Sequence, residues 1–172
     1  TSTLDELSNV ICLSVKYKEQ IRSSNILDSL RQLAQSTNTE IQNKSLEVLA
    51  QLTSLHVIKS DLAHPSFLDF LKAIIKNISH KNREEAATLY SKVISSATFS
   101  QSQFQEEINT IKGYLSDRND NIRNAALSSL KSCFQDKKVS YDCFSKHNIQ
   151  SQLIPLLNHS YAEIKLNTLD IL

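Results

Sequence analysis

Four stretches of this chain repeat one apolar template at intervals of 40 to 42 residues. Taking Ile41, Asn82, Ile122 and Ile164 as anchors, the positions eleven and eight residues earlier hold Leu30 and Leu33, Leu71 and Ile74, Ile111 and Tyr114, Leu153 and Leu156. Five and eight residues after the anchors stand Leu46 and Leu49, Ala87 and Tyr90, Leu127 and Leu130, Leu169 and Leu172. A small residue follows each anchor by four: Ser45, Ala86, Ala126 and Thr168. Self-similarity at this period marks supersecondary units that cannot each bury an apolar face alone, so each must lean on the next.

The units are helical. A single glycine and two prolines in 172 residues remove the usual material for tight hairpins and leave few helix breakers. Apolar spacings of three, four and seven, as in Phe67, Leu68, Leu71, Ile74, Ile75 and Ile78, draw one face of a helix, and period-two alternation is absent. Together with the repeat, this predicts an all-α, right-handed α-solenoid of about four repeats in one domain over 1–172. The repeats fall at about 15–55, 56–97, 98–138 and 139–172, after a partial unit at 1–14. Leu7, Val10 and Leu13 match the closing helix of a unit whose start is missing, and Leu172 falls inside another closing helix. Both ends therefore read as cut from a longer protein.

Side-chain acceptors that can satisfy first-turn N–H groups mark helix starts. Thr3 with Glu6, Asn25 with Asp28, Thr39 with Gln42, Ser66 with Asp69, Asn82 with Glu85 and Ser160 with Glu163 all have such spacing. Short leading helices are expected at 16–22, 56–62, 99–104 and 141–147. Pro65 suits a first helical turn, whereas Pro155 lies among Leu153 to Leu157 and predicts a kink or a broken first turn. Gly113 either admits a close neighbour or is a tolerated mid-helix glycine.

Several function classes lose their support. Nineteen basic and eighteen acidic residues give a net charge of +1, so no global field gathers nucleic acid. Three cysteines, Cys12, Cys133 and Cys143, lack paired spacing, which argues against a disulfide framework or structural zinc and favours cytosol or nucleus. His56, His64, His80, His147 and His159 are scattered near expected helix ends, so no metal is expected. Cys143 and His147, one helical turn apart, form a weak pair on which no catalysis is built. One glycine cannot make a phosphate loop, so no nucleotide cofactor is expected. Glu84 with Glu85, and Glu106 with Glu107, suit first turns facing the helix dipole. No apolar run approaches the ~18 residues of a membrane span, and the first ten residues do not resemble a leader. N-x-S triplets at Asn43, Asn77 and Asn158 read as coincidence in a chain rich in both residues.

The third-helix segments resemble the armadillo repeat and, more loosely, the HEAT repeat. Glu40, Ile41, Ser45, Leu46, Leu49 and Leu52 follow the armadillo pattern, as do Ile122, Ala126, Leu127, Leu130 and Cys133, and Glu163, Ile164, Thr168, Leu169 and Leu172. The chain departs from peptide-binding members in having no tryptophan. Where those members carry ladder residues, six and ten after the anchor, it has Glu47 and Gln51, Thr88 and Lys92, Ser128 and Ser132, and Asp170. The glycine usual between first and second helices is also missing. The resemblance implies a divergent array and disfavours extended-peptide recognition of the nuclear-import type.

In such an array third helices line the inner side, so Lys44, Glu47, Gln51, Thr88, Lys92, Ser128, Ser132 and Asp170 are expected to form a mixed polar strip that binds a partner. The predicted function is a non-enzymatic scaffold or adaptor module binding a protein partner through that strip or an exposed solenoid end. The alternative is a HEAT-type nucleic-acid binder using Lys72, Lys76, Lys81, Arg83 and Lys92, with Lys137, Lys138 and Lys146 further along. Asp69, Glu84 and Glu85 interleave with the first cluster and argue against it.

Overall fold

The computed structural model describes residues 25–54, 56–97, 99–135 and 145–172. Expectations at Thr3, Leu7, Val10, Cys12, Leu13, the 16–22 helix, Lys137, Lys138 and Cys143 lie outside the described residues. No strand occurs among those described. The chain divides into two compact units, Thr1–Ala97 and Thr98–Leu172.

In the first unit, α1 (Ile26–Ala34) pairs with α2 (Thr39–Leu52), and after α3 (His56–Leu62) comes the pair α4 (Pro65–Lys76) and α5 (Arg83–Val93). A short 3-10 turn, Ile94–Ser96, closes α5. The two pairs are layers: α2 packs along α5, and α3 also rests on α5. The template residues build this seam. Leu46, Leu49, Leu71, Ala86, Ala87 and Tyr90 are all buried, each large aliphatic side chain contributing ~1.5–3 kcal/mol against exposure. The small residue four after the anchor is fully buried in both layers, and the Ser45 hydroxyl is satisfied by donating to the Ile41 carbonyl at 2.7 Å.

In the second unit, α6 (Gln101–Tyr114) pairs with α7 (Asp120–Gln135), α8 (Gln150–Leu156) pairs with α9 (Ala162–Leu169), and α7 packs along α9. Ile111, Ile122, Ala126, Leu127, Leu130, Cys133, Leu153 and Ile164 are buried, and so is Thr168, whose hydroxyl donates to the Ile164 carbonyl at 2.6 Å.

Several local expectations are corrected. Asn38, not Thr39, starts α2, because its Oδ1 accepts from the Glu40 and Ile41 N–H groups at 2.9 and 3.3 Å. His64 and Tyr161 stand at the starts of α4 and α9, displacing Ser66 and Ser160. Asn25 does precede α1, without a side-chain capping bond. The 99–104 leading helix is not separate: from Gln101 it runs on as α6, started by a reciprocal Ser100–Gln103 capping box. Glu106 and Glu107 therefore sit in mid-helix, Glu107 buried. Pro65 opens α4 as expected, and Pro155 lies in the last turn of a seven-residue α8. A Cβ on Gly113 would meet nothing within 4 Å, so the close-packing reading fails and the tolerated-glycine reading stands.

Three of the apolar template positions flanking the anchors are exposed, Leu33 at 39%, Leu169 at 59% and Leu172 at 52%. Leu172 lies beyond the end of α9 at Leu169 and not inside a closing helix. For Leu169 the reason is positional: its counterparts Leu46 and Leu127 belong to helices that carry a following layer, α5 and α9, whereas no described helix lies over the outward side of α9.

Candidate protein-binding face

Each layer's third helix begins with one recurring device. The residue two before the helix-preceding position turns a side-chain acceptor onto that position's N–H: Ser36 Oγ onto Asn38 at 3.2 Å, His80 Nδ1 onto Asn82 at 3.2 Å, Asp117 Oδ1 onto Asn119 at 2.9 Å, His159 Nδ1 onto Tyr161 at 3.0 Å. The device fixes where α2, α5, α7 and α9 start and hence which side chains they present. It also gives His80 and His159 structural work. Arg123 adds to the last start: its Nη1 donates to the Asp117 carbonyl at 2.6 Å, while its Nη2 meets the Asp120 carboxylate and lies 2.8 Å from His159 Nε2.

In the first unit, the polar face formed by α2 and α5 carries five of the expected strip residues. Glu47 is held on both oxygens, Oε1 accepting from Asn43 Nδ2 at 2.9 Å and Oε2 pairing with Lys44 Nζ at 3.3 Å. Lys44 and Glu47 are half-buried, while Gln51, Thr88 and Lys92 are exposed. Lys92 spans the seam, its Nζ donating to the Ala50 carbonyl on α2 at 3.2 Å. Beneath, Asn82 is only 4% exposed and Asn82 Nδ2 donates to the Thr39 carbonyl at 3.0 Å and to Gln42 Oε1 at 2.8 Å. An amide thus replaces the aliphatic anchor without leaving its donors unmet.

In the second unit, Ser128 and Ser132 stand on α7 and Asp170 directly follows α9. Asp170 pairs with Lys131 Nζ at 2.5 Å, and Asn167 Nδ2 donates to Asn124 Oδ1 at 2.6 Å. Ser128 and Ser132 are half-buried on either side of Lys131. The linking residues Asn43, Asn124, Lys131 and Asn167 were missed by the strip pattern. Their signal was the asparagine two residues after the anchor in the first and third repeats.

In each unit these helices therefore present polar side chains largely neutralised by their own pairs, and there is no group of three or more metal donors among the described residues. The basic cluster of the second repeat is partly consumed: Lys72 pairs with Asp69 at 2.8 Å, and Arg83 Nε donates to the Ile75 carbonyl at 2.7 Å. No described helix is long and apolar enough to cross a membrane. Cys133 is buried, as a small apolar side chain at a core position should be.

No protein-family model matches the sequence, and no curated protein is similar to it. Solved structures are. A computationally designed armadillo repeat protein for modular peptide recognition is similar over 99% of this chain and 73% of its own, with a TM-score of 0.74 at 16% identity. An engineered protein matches over 99% of this chain and 72% of its own, with a TM-score of 0.75 at 13% identity. A designed armadillo repeat protein in complex with the peptide (KR)4 matches over 99% and 90%, with a TM-score of 0.55 at 14% identity. The fold is an armadillo-like all-α repeat solenoid.

Proposed function

We propose that this chain is a non-enzymatic protein-binding module, a scaffold or adaptor of cytosol or nucleus, whose partner docks on the third-helix face. In the first unit that face consists of Lys44, Glu47, Gln51, Thr88 and Lys92; the second unit, taken by itself, offers Ser128, Ser132 and Asp170. We take the repeats as 15–55, 56–97, 98–138 and 139–172. The observation that carries this reading is the seam between α2 and α5, where polar side chains are fixed over a tightly packed layer. Pre-fixed side chains lose little freedom on binding. The similarity to designed scaffolds, two of them made for or bound to peptides, supports a protein or peptide as the partner class.

The residues also constrain the partner. With Lys44 and Glu47 already paired, and Lys131 paired with Asp170, the face offers no strong net charge, so specificity comes from shape and hydrogen bonding more than from long-range attraction. The test is partner capture with the chain carrying Lys44→Glu, Glu47→Lys and Lys92→Glu, beside a control with Lys76→Glu. Capture should fail with the triple variant and persist with the control, helicity being retained in both. Undiminished capture by the triple variant would place binding elsewhere. Loss on Lys76→Glu alone, with steep salt dependence, would instead favour a nucleic acid.

A further inference from the structure

The histidine that starts α9 has a donor on each side of its ring. The Tyr161 N–H donates to His159 Nδ1 at 3.0 Å, while His159 Nε2 lies 2.8 Å from Arg123 Nη2 and 3.6 Å from Asp120 Oδ1. A main-chain N–H and a guanidinium can only donate, and a neutral imidazole offers one nitrogen lone pair to accept with. The two donors therefore cannot both be satisfied by the ring. Arg123 has other acceptors, the Asp120 carboxylate and the Asp117 carbonyl. The Tyr161 N–H has no second acceptor among the described residues. The lone pair accordingly belongs on Nδ1, and Nε2 carries the hydrogen toward Asp120.

A proton added to this ring has to go onto Nδ1. The Tyr161 N–H then loses its acceptor, and an imidazolium stands beside the Arg123 guanidinium. Of the ring's three polar neighbours only Asp120 favours the charged form, and Asp120 is shared with Arg123. Other charges near the ring are few. From α7 come Asp120 and Arg123, α8 has no titratable side chain, and the first turn of α9 holds Glu163 and Lys165, of opposite sign. The His159 side chain is only 18% exposed, which leaves water little room to replace a lost partner. The start bond is thus present while the ring is neutral and is lost as pH falls through the range in which an imidazole gains its proton, ~6.5 for a free ring. Ser36, which makes the same bond at the start of α2, has no charged form in that range.

We propose that His159 is a proton-sensitive catch on the fourth layer. Neutral, it holds Tyr161 and starts α9. Protonated, it releases the exposed opening turn from Tyr161 to Glu163, while buried Ile164 and the Asn167–Asn124 bond keep the rest of the helix seated. The catch does not depend on where a partner docks.

Nuclear magnetic resonance of the isotope-labelled chain, from about pH 7.5 to about pH 5, tests this across the imidazole range. At neutral pH the ring nitrogen shifts should place the hydrogen on Nε2, with a scalar coupling across the hydrogen bond between Tyr161 N and His159 Nδ1. As the ring gains its proton that coupling should vanish. The first backbone bond of α9, from the Lys165 N–H to the Tyr161 carbonyl at 3.4 Å, should open with it. Protection of the Lys165 amide, corrected for the intrinsic pH dependence of exchange, should then fall about fivefold, the loss of one start bond. His159→Ser, which copies Ser36, should hold that protection constant over the same range. These signals are local to α9, so His80, which makes the same bond at the start of α5, does not enter them. A hydrogen on Nδ1 at neutral pH overturns the proposal, as does a ring still neutral at about pH 5. Unchanged Lys165 protection on a protonated ring, or an equal fall in the serine variant, is as damaging. Should that variant not fold, the ring and amide signals of the unaltered chain decide alone.

Discussion

The seam of α2 with α5 and the seam of α7 with α9 reach the same layer packing by different chemistry. In the first, the anchor on α5 is Asn82, buried and bonded to Gln42 and to the Thr39 carbonyl. In the second, both anchors are fully buried isoleucines, Ile122 and Ile164, and the polar links sit at the margin as Asn124 with Asn167 and Lys131 with Asp170. The difference teaches that the template requires a filled volume with satisfied groups at the anchor and does not require an apolar residue there. An amide suffices when its partners come from the preceding layer. The cost is dependence: Asn82 is stable only while α2 is in place, whereas an isoleucine is indifferent to which apolar neighbour covers it.

The comparison can be broken first at the anchors. Ile122→Ala should lower unfolding stability by ~2–5 kcal/mol through lost burial and a residual cavity. Asn82→Ala should cost less, ~1–3 kcal/mol, mainly by leaving Gln42 and the Thr39 carbonyl without their donor. Chemical denaturation of both variants ranks them. A larger loss at Asn82 than at Ile122 would mean that the buried amide does more than fill the anchor.

The shared start device sharpens the comparison next. Asn38→Ala and Asn119→Ala each remove an oxygen that accepts from two first-turn N–H groups. Each should cost ~1 kcal/mol, and by similar amounts in the two units, as read from helical content during thermal unfolding. Smallest is the margin: Lys131→Ala should cost under ~1 kcal/mol and less in high salt, because the pair is exposed. A loss that salt leaves untouched would show that Lys131 contributes by packing.

What the sequence made legible follows from what is local or periodic. Helix type, the buried positions from Leu46 to Leu153, and the leading helix at 56–62 rest on spacing alone. The start of α2 is displaced because several residues able to cap stand side by side. In Ser36, Thr37, Asn38 and Thr39 only backbone angles decide which one caps. By contrast, α4 and α9 start after His64 and Tyr161, neither of which makes a side-chain capping bond, so no capping signal marks them. The burial of Glu107 follows from α6 running unbroken from Gln101 to Tyr114, which a separate 99–104 helix does not allow. The partner of Asn82 lies 40 residues away, beyond any local pattern. For the strip, residue types were legible, but the closure of Lys44 on Glu47 and of Asp170 on Lys131 needs the helices in place. Leu169 shows the same limit: periodicity places it on the template face, and only packing tells whether that face is covered.

A double-mutant cycle between Gln42 and Asn82 tests most directly whether successive layers share a buried seam. With Gln42→Leu, Asn82→Leu and the double substitution measured by urea denaturation, the single changes should each destabilise. The pair should destabilise clearly less than their sum, with a coupling of ~1 kcal/mol or more. Strictly additive losses would mean that these two side chains do not meet, and would contradict the packing of α5 on α2.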